Sequence, residues 1–323
     1  MADQTSDYLI KFCSAQTADK ILSTRTLRWS APHHFEDPLE LTYQSELNFS
    51  SSELLKTLVK RSLTLIFQFE KPTGNSKVIH AINRWREEER FDEQEEAEEV
   101  LTELLSQVVT ARKPALDKLL NNWKSYALRT RICCFSERVD NLVAWQRYAD
   151  AHTGVAFKFR SGENTTLGVA KKILYQDDRP EITTLTEQVL EIMLGRVPKY
   201  AEEFPKKFLS KPKPFAAEAE LRCFRLLANS PDIILDSKEF GTTDIGFQEN
   251  DIKEVFLGAE MNPNVKLKLI QKIRKINRQI KIYEAHMSPQ KFQLDFVDTK
   301  KITSQKQESK TKESTPNTAQ QPS

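Results

Sequence analysis

The sequence predicts an α+β protein with a mixed or antiparallel central sheet, flanking helices and a large helical insertion. Two observations support this prediction. Short apolar or alternating segments of strand length are separated by helical patterns of varied length, which suits a mixed or antiparallel sheet. Residues 44–126 are mostly helical in pattern, so we interpret them as an insertion into the fold. We expect one domain over residues 1–300 and a disordered tail over 301–323.

Composition and charge narrow the class of protein. The chain has 323 residues, of which 39% are hydrophobic and 29% charged, as in soluble proteins. It has neither a stretch of the roughly 20 apolar residues that span a bilayer nor the pattern of a secretory signal, so we expect a cytoplasmic protein without membrane contact. The four cysteines lack C-x-x-C spacing and are interpreted as buried thiols. The net charge of +2 does not indicate nucleic-acid binding.

The first strands and helices follow from local patterns. A strand is predicted over Tyr8–Phe12, then a helix capped by Ser14 or Thr17, then a second strand over Thr26–Ser30. Within the helical insertion Pro114 predicts an interruption, because a proline removes a hydrogen bond from a helix interior. A separate helix is therefore expected after it, over residues 116–126.

Residues 131–159 predict the centre of the fold as strand, loop, helix and strand. Ile132–Phe135 is an apolar run of strand length, and Asp140 or Asn141 suits the N-cap of the helix that follows. The helix is predicted to bury one stripe, formed by Leu142, Trp145, Tyr148 and Ala149. Gly154, a residue that tolerates positive φ, is expected to end the unit before an alternating strand at Val155–Phe159.

The remaining chain predicts further strands and helices. Strands are expected at 173–175, 252–258, 282–285 and 291–297, and helices at 185–194, near 200–209, and from Asn262 through Ile280. Residues 240–251 are expected to form a loop.

Two polar segments supply candidate site residues. The loop APHHFEDPLE concentrates His33, His34, Glu36, Asp37 and Glu40 within a few positions. We take His33 and Asp37 from it as candidate ligand-binding residues, although Asp37-Pro38 is also typical of a plain turn before a helix.

The second candidate segment is FAAEAELRCFRLL, which begins at Phe215. Were it a strand, Glu218, Glu220 and Arg222 would lie on one face. Like charges beside an arginine can shift the pKa of a carboxyl group or hold a phosphate. The alternative is a surface ion-pair ladder of little energetic value.

A basic cluster precedes this segment. Its members are Lys206, Lys207, Lys211 and Lys213. Lysine can contact phosphate as a point charge with three donors, and a solvated surface is the alternative interpretation.

Several blocks of the sequence together resemble the DUF2971 family of mostly bacterial proteins. They are YLIKF, LRWSAPHHFEDPLE, CFSE followed by DN and by WQRYADAHTGVAFKF, then KPKPFAAEAELR and EVFLG. The blocks run in order from Tyr8 to about Phe296, so the resemblance covers nearly the whole chain apart from the tail. The chain departs from the family pattern at Glu36, Arg147 and Phe215, where the family usually has Asn, His and Trp.

An enzyme acting on NAD or a related nucleotide is the first functional hypothesis. The order strand, helix, strand and late acidic segment is similar to that of ADP-ribosyltransferase folds, which is an analogy at the level of the fold. Glycosidic cleavage passes through an oxocarbenium-like state, which a fixed carboxylate stabilises. The resemblance therefore favours Glu218 or Glu220 as the catalytic group. Arg222 is expected to steady the neighbouring carboxylate, and Ser136 and Arg147 to contact ribose or phosphate. Tyr148 and Arg222 are counted with them as ligand-binding candidates.

Two alternatives belong to other classes. A metal-dependent phosphodiesterase or nuclease would use Asp37, Glu40, Glu218 and Glu220 as oxygen ligands for Mg²⁺. A non-catalytic binding module, acting in bacterial stress or phage defence, would contact a protein partner through the helical insertion. The hypotheses differ in one spatial expectation, because only a ligand site requires the candidate residues to line one cleft.

Overall fold

A computed structural model describes residues 7–35, 46–196, 198–228 and 241–300. It is 47% helix and 24% strand, with a mixed and mostly antiparallel sheet, which confirms the α+β class. The helices are α1 (Ala15–Thr24), α2 (Ser51–Phe67), α3 (Lys77–Glu87), α4 (Gln94–Arg129), α5 (Leu142–Tyr148), α6 (Leu185–Leu194), α7 (Tyr200–Lys207) and α8 (Pro263–Ile276).

Ten of the described strands form one sheet. The strands are β1 (Tyr8–Cys13), β2 (Thr26–Ser30), β3 (Thr130–Ser136), β4 (Val155–Arg160), β5 (Lys171–Lys172), β6 (Leu174–Gln176), β7 (Ser210–Pro212), β8 (Glu220–Leu226), β9 (Thr242–Gly246), β10 (Ile252–Leu257), β11 (Lys281–Met287) and β12 (Leu294–Asp298). The main order is β12-β11-β10-β4-β1-β3-β2-β9, with β8 pairing β3 and β5, and β6 pairing β7 separately. The pairing of β10 with β11 is parallel.

Strand β3 has an unusual set of neighbours. Along its whole length it pairs antiparallel with β8, from Thr130 opposite Leu226 to Ser136 opposite Glu220. Its other edge is shared, because β2 pairs with it only at Ile132 and β1 only at Ser136. Strands β1 and β2 therefore leave a wedge between them along β3, and this wedge positions the site described below.

Apolar side chains cover both faces of the sheet. One core cluster joins the sheet to α1 and α8, through residues such as Ile21, Phe157 and Ile273. On the other face α5 packs Trp145 against Phe12 in an edge-to-face contact, with ring centroids 5.2 Å apart. The buried stripe predicted for α5 is only partly right, because Tyr148 is 44% exposed.

The helical insertion has its own core. Helices α2, α3 and α4 bury apolar residues against one another and against α6. The predicted break at Pro114 is wrong, since α4 continues through that residue from Gln94 to Arg129. Buried residues on both sides of the proline, such as Val109 and Leu116, continue the same packed face, and tertiary packing of this kind outweighs one lost backbone hydrogen bond.

Other differences from the prediction have local causes. Residues 242–246 form β9 on β2 within the predicted loop, because antiparallel pairing with β2 supplies hydrogen bonds that the polar sequence does not reveal. The last strand begins at Leu294, and Phe292 is exposed to solvent. Helix α8 ends at Ile276 and not at Ile280.

The glycine in the turn after α5 serves close approach of the backbone and not a positive φ. Positive φ occurs at Asp150, Ala151 and His152, and not at Gly154. Glycine is needed at position 154 for close approach, because a Cβ there would lie 2.3 Å from the carbonyl oxygen of Cys13. The segment thus passes against the end of β1 with no room for a side chain.

Three further predictions concern burial, membranes and the tail. The cysteines are free, with Cys13, Cys133 and Cys223 buried and Cys134 partly exposed. Among the described residues, none of the helices combines the length and the apolar character required to cross a bilayer. The predicted disordered tail, 301–323, lies outside the described residues.

Candidate functional site

The two candidate glutamates reach one place by an unexpected backbone path. Glu218 ends a 3-10 turn over Lys213–Glu218, and Glu220 is the first residue of β8. Between them Ala219 adopts a left-handed conformation, with φ 47° and ψ 51°. The prediction that both glutamates lie on one strand face is therefore wrong. The left-handed residue, rather than strand alternation, brings their carboxylates together.

Lys211 joins the two carboxylates. Its Nζ lies 2.5 Å from Oε2 of Glu218 and 3.0 Å from Oε2 of Glu220. All three side chains are buried, with 3%, 2% and 8% exposed. A buried charge is tolerated only when it is paired and hydrogen-bonded, and this ammonium pairs with both acids at once.

Helix α5 supplies the outer partners of Glu218. Arg147 Nη1 donates to Oε1 of Glu218 at 2.6 Å, and the Tyr148 hydroxyl donates to the same oxygen at 3.0 Å. The Arg147 side chain is 45% exposed, and its guanidinium also lies over the ring of Phe215, 5.1 Å from the centroid. Arg147 and Tyr148 therefore form a solvent-accessible rim above a buried carboxylate.

Hydrogen bonds from the protein interior fix the position of Glu220. Arg222 Nε donates to its Oε1 at 2.7 Å, while Arg222 Nη1 donates to the carbonyl of Phe208 at 2.7 Å. The Tyr175 hydroxyl accepts a hydrogen bond from the backbone N–H of Glu220 at 2.8 Å. Arg222 is fully buried, so it contacts Glu220 as predicted and fixes that carboxylate from the protein interior.

Asn141 and Ser136 hold the turn that carries Glu218. The Asn141 side chain caps α5 by accepting from the N–H of Ala144, as predicted. Its Nδ2 also donates to the carbonyl oxygens of Ala217 and Glu218, at 2.9 and 2.8 Å. The Ser136 hydroxyl donates to the carbonyl of Glu218 at 3.2 Å. One side chain thus starts a helix and anchors the acidic turn.

A cavity of about 480 Å³ lies in the wedge between β1 and β2, a volume typical of small-molecule sites. Of the predicted site residues, Ser136, Arg147, Tyr148, Glu218 and Glu220 line it. Other lining residues include Lys11, Arg28, Ser30, His34, Phe35, Cys134 and Lys211. Residues far apart in sequence therefore converge on one concave surface.

The histidine loop contributes one residue to the cavity. His34 lines it, whereas His33 is exposed and does not. Burial lowers the pKa of His33, and the neighbouring His34 and Arg131 lower it further. Glu36, Asp37 and Glu40 lie outside the described residues.

Burial and charge set the protonation of the site. Burial lowers the pKa of Lys211, but the carboxylates of Glu220 and Glu218 outweigh it and raise that pKa above the usual 10.5. Burial raises the pKa of Glu220, opposed by Lys211, and burial raises the pKa of the Tyr148 hydroxyl. Arg222 has its pKa lowered by burial to about 9, which leaves it cationic at neutral pH.

The sequence analysis missed three residues of this arrangement. Lys211 was one member of a basic cluster in which Lys206 and Lys213 are exposed and Lys207 is half-buried, and only Lys211 reaches the interior. The turn-binding role of Asn141 and the position of Lys11 in the cavity depend on long-range contacts. The signal available for Lys211 was its place beside prolines immediately before the acidic segment.

The geometry favours small-molecule binding over a metal centre formed by the two glutamates. Lys211 occupies the position between Glu218 and Glu220 that a shared cation would take. Within the described ranges, no three or more His, Cys, Asp or Glu side chains are grouped to hold a metal ion. The cavity carries four cationic side chains, Lys11, Arg28, Arg147 and Lys211, against two carboxylates, so its charge suits an anionic ligand.

Comparisons of the chain with protein-family models, with curated proteins and with solved structures found no match. Function is therefore inferred from the cavity and its residues.

Proposed function

We propose that this chain is a protein of the DUF2971 type that binds a nucleotide in the wedge cavity and cleaves or transfers at its glycosidic bond. The observation that supports the proposal is that candidate residues from separate segments converge on one cavity. Glu218, Glu220, Arg147 and Tyr148 come from separate segments of the chain and line one cavity of about 480 Å³. The excess of cationic side chains on its walls suits the phosphates of a nucleotide such as NAD.

The chemistry requires a fixed negative charge near the sugar. When the glycosidic bond of NAD breaks, its electron pair leaves with nicotinamide, and positive charge develops on the ribose. Water or an acceptor group then forms the new bond to the same carbon. A preorganised carboxylate stabilises such a state without reorganising. Glu218 and Glu220 are held rigidly by Lys211, and we assign this role to one of them.

The surrounding residues take supporting roles in this proposal. Arg147 and Tyr148 lie at the accessible rim and contact ribose or phosphate. Arg222 and Ser136 act through the protein, because Arg222 holds the Glu220 carboxylate and Ser136 holds the Glu218 backbone. These two are positioning residues.

Turnover of NAD by purified variants tests the proposal. We expect the wild type to release nicotinamide, and Glu220→Gln or Glu218→Gln to reduce the rate by at least about a hundredfold, as loss of a transition-state electrostatic partner does. Glu191→Gln is a matched control, because Glu191 on α6 is also buried and is paired with Arg112 of α4, outside the cavity lining. Nicotinamide release at the wild-type rate in both cavity variants would contradict the catalytic assignment.

A second candidate is a binding module without turnover. One specific observation favours it: each of the four carboxylate oxygens of Glu218 and Glu220 already accepts a hydrogen bond from a protein donor. In that case the cavity would bind a nucleotide as a signal, and the helical insertion would contact a protein partner. Saturable nucleotide binding with no product in any condition tested would select this candidate.

A further inference from the structure

Lys11 is a cation of the cavity that forms no direct ion pair with a described carboxylate, and the charge of Glu220 reaches it only without direct contact. Its Nζ donates to the carbonyl of Cys134 at 2.8 Å and lies 5.5 Å from the centroid of the Phe135 ring. Within the described part of the chain no carboxylate forms an ion pair with it. Lys158, on the adjacent strand β4, differs in this respect, because it pairs with Glu254 at 3.1 Å.

The position of Lys11 makes this difference informative. The Lys11 side chain hydrogen-bonds the carbonyl of Cys134 in β3. Cys134 lies between Ile132 and Ser136, the residues at which β2 and β1 pair with β3. Lys11 therefore lies in the wedge and lines the cavity. An ammonium has three donors, of which the Cys134 carbonyl takes one. The remaining donors are suited to an anion that enters the cavity.

His34 provides an independent observation on the same cavity. Its Nε2 is shielded from solvent and has no hydrogen-bond partner among residues 7–35, 46–196, 198–228 and 241–300. The ring fills the space where position 241 would carry a side chain, since a Cβ on Gly241 would lie 1.4 Å from Nε2. Nε2 itself is closed off by residue 241, so the rest of the ring, which lines the cavity, is the part that can face a ligand.

We propose that Lys11 and His34 form a subsite for a phosphoryl group, distinct from the carboxylate pair. Neither side chain hydrogen-bonds Glu218 or Glu220. The chemistry fits phosphate, because a lysine point charge and an imidazole offer donors from two directions. This inference deepens the proposed function and rests on it in one respect, since it identifies which wall of the cavity takes the phosphate of the nucleotide.

Inorganic pyrophosphate is the probe that tests the subsite. It has no glycosidic bond, so its binding is independent of turnover. Titration calorimetry on the full chain should show saturable pyrophosphate binding by the wild type. We expect Lys11→Met to weaken this binding by about tenfold or more, as loss of a charge-assisted hydrogen bond does. Lys158→Met is the matched control and should change binding by less than about twofold.

Two further variants keep the test decisive. Lys11→Arg retains the charge and should preserve most of the binding, while His34→Leu removes the imidazole and should weaken it by about threefold or more. Thermal unfolding of each variant checks folding, and His34→Leu gives the result should Lys11→Met fail to fold. Unchanged pyrophosphate affinity in the folded variants overturns the subsite.

The outcomes separate this inference from the proposed function. Pyrophosphate binding that depends on Lys11, without nicotinamide release, would support the subsite and contradict the proposed catalytic function. Nicotinamide release, together with a pyrophosphate affinity that does not depend on Lys11, would support the catalytic function and contradict the subsite. Should malonate, a dicarboxylate, bind in a Lys11-dependent manner while pyrophosphate does not bind, the phosphoryl assignment is overturned.

Discussion

The ammonium of Lys211 lies 2.5 Å from a carboxylate oxygen of Glu218, and both side chains are almost wholly buried. Removing one partner of such a pair leaves an uncompensated charge, which costs about 3–5 kcal/mol. Lys211→Met should therefore lower the free energy of unfolding by about this amount, measured by denaturant titration. Lys213→Met is the control, since Lys213 pairs with Asp177 in an exposed position, and its loss should cost about 1 kcal/mol or less. Equal losses in the two variants would contradict a structural role for the buried pair.

The same pair predicts a dependence on pH. The pKa of Lys211 is raised above 10.5 in the folded protein, so its contribution to stability is complete below pH 10.5 and is lost as pH rises through the folded-state pKa. The stability difference between the wild type and Lys211→Met should be constant near neutral pH and shrink only in strong alkali. A difference that already shrinks between about pH 7 and 9 would show that the ammonium loses its proton early.

Arg147 should matter for binding as well as for folding. Its guanidinium is 45% exposed at the rim, and without it Glu218 keeps its bonds to Lys211 and Tyr148. Arg147→Gln should therefore cost less free energy of unfolding than Lys211→Met, about 1.5–3 kcal/mol for one hydrogen bond to a charged group. Loss of a charged donor to the ligand should weaken ADP-ribose binding by about tenfold, measured by calorimetry. Arg138→Gln serves as the control, because Arg138 pairs with Asp140 outside the cavity lining. Equal affinities in the two variants would remove Arg147 from the ligand site.

Gly154 should tolerate no side chain. In Gly154→Ala the new Cβ would meet the carbonyl of Cys13 at 2.3 Å and that of Ala149 at 2.7 Å. Backbone must shift to relieve these contacts, and we expect destabilisation of about 1–3 kcal/mol, seen as a lower unfolding midpoint. At Gly246 a Cβ would meet only the carbonyl of Arg25, at 3.9 Å. Gly246→Ala should therefore change stability by less than about 1 kcal/mol, and a similar loss in both variants would argue against the close approach.

The thiols should be unreactive in the folded protein. Burial raises the pKa of Cys13 to about 12, and burial raises the pKa of Cys134 well above its usual value. Thiolate is the reactive form, so alkylation near pH 8 should be much slower in the native protein than in guanidinium. Cys134 lines the cavity and is partly exposed, so it should react first among the four. Rapid native-state labelling of Cys13 would contradict its burial.

Local patterns predicted most of the fold because local physics determines those elements. Strands β1 to β4 carry apolar runs or alternation, and the side chains of Ser14 and Asn141 cap helices where expected. The failures arose where distant residues decide the outcome. Pro114 remains helical because apolar residues on both sides of it pack, and β9 forms because β2 lies beside it.

The site shows the same division. Glu218 and Glu220 were identifiable as candidates from their spacing, but no alternation rule anticipates the left-handed Ala219 that turns them toward Lys211. Of two adjacent histidines only His34 lines the cavity, because the turn Pro32–His34 directs it there, and a sequence pattern cannot separate such neighbours. In the sequence Lys211 cannot be distinguished from the other lysines of its cluster, since burial is a property of tertiary structure.

Strand β3 pairs continuously with β8 along one edge. Its other edge pairs only at Ile132, with β2, and at Ser136, with β1. The cavity therefore lies within the sheet itself, in the wedge between β1 and β2, and these two strands also contribute to the main core. A molecule bound there would bridge β1 and β2 and complete the weakly joined edge. Occupancy and folding are then thermodynamically linked, so a bound molecule would raise the unfolding temperature and slow amide exchange in the strands on either side.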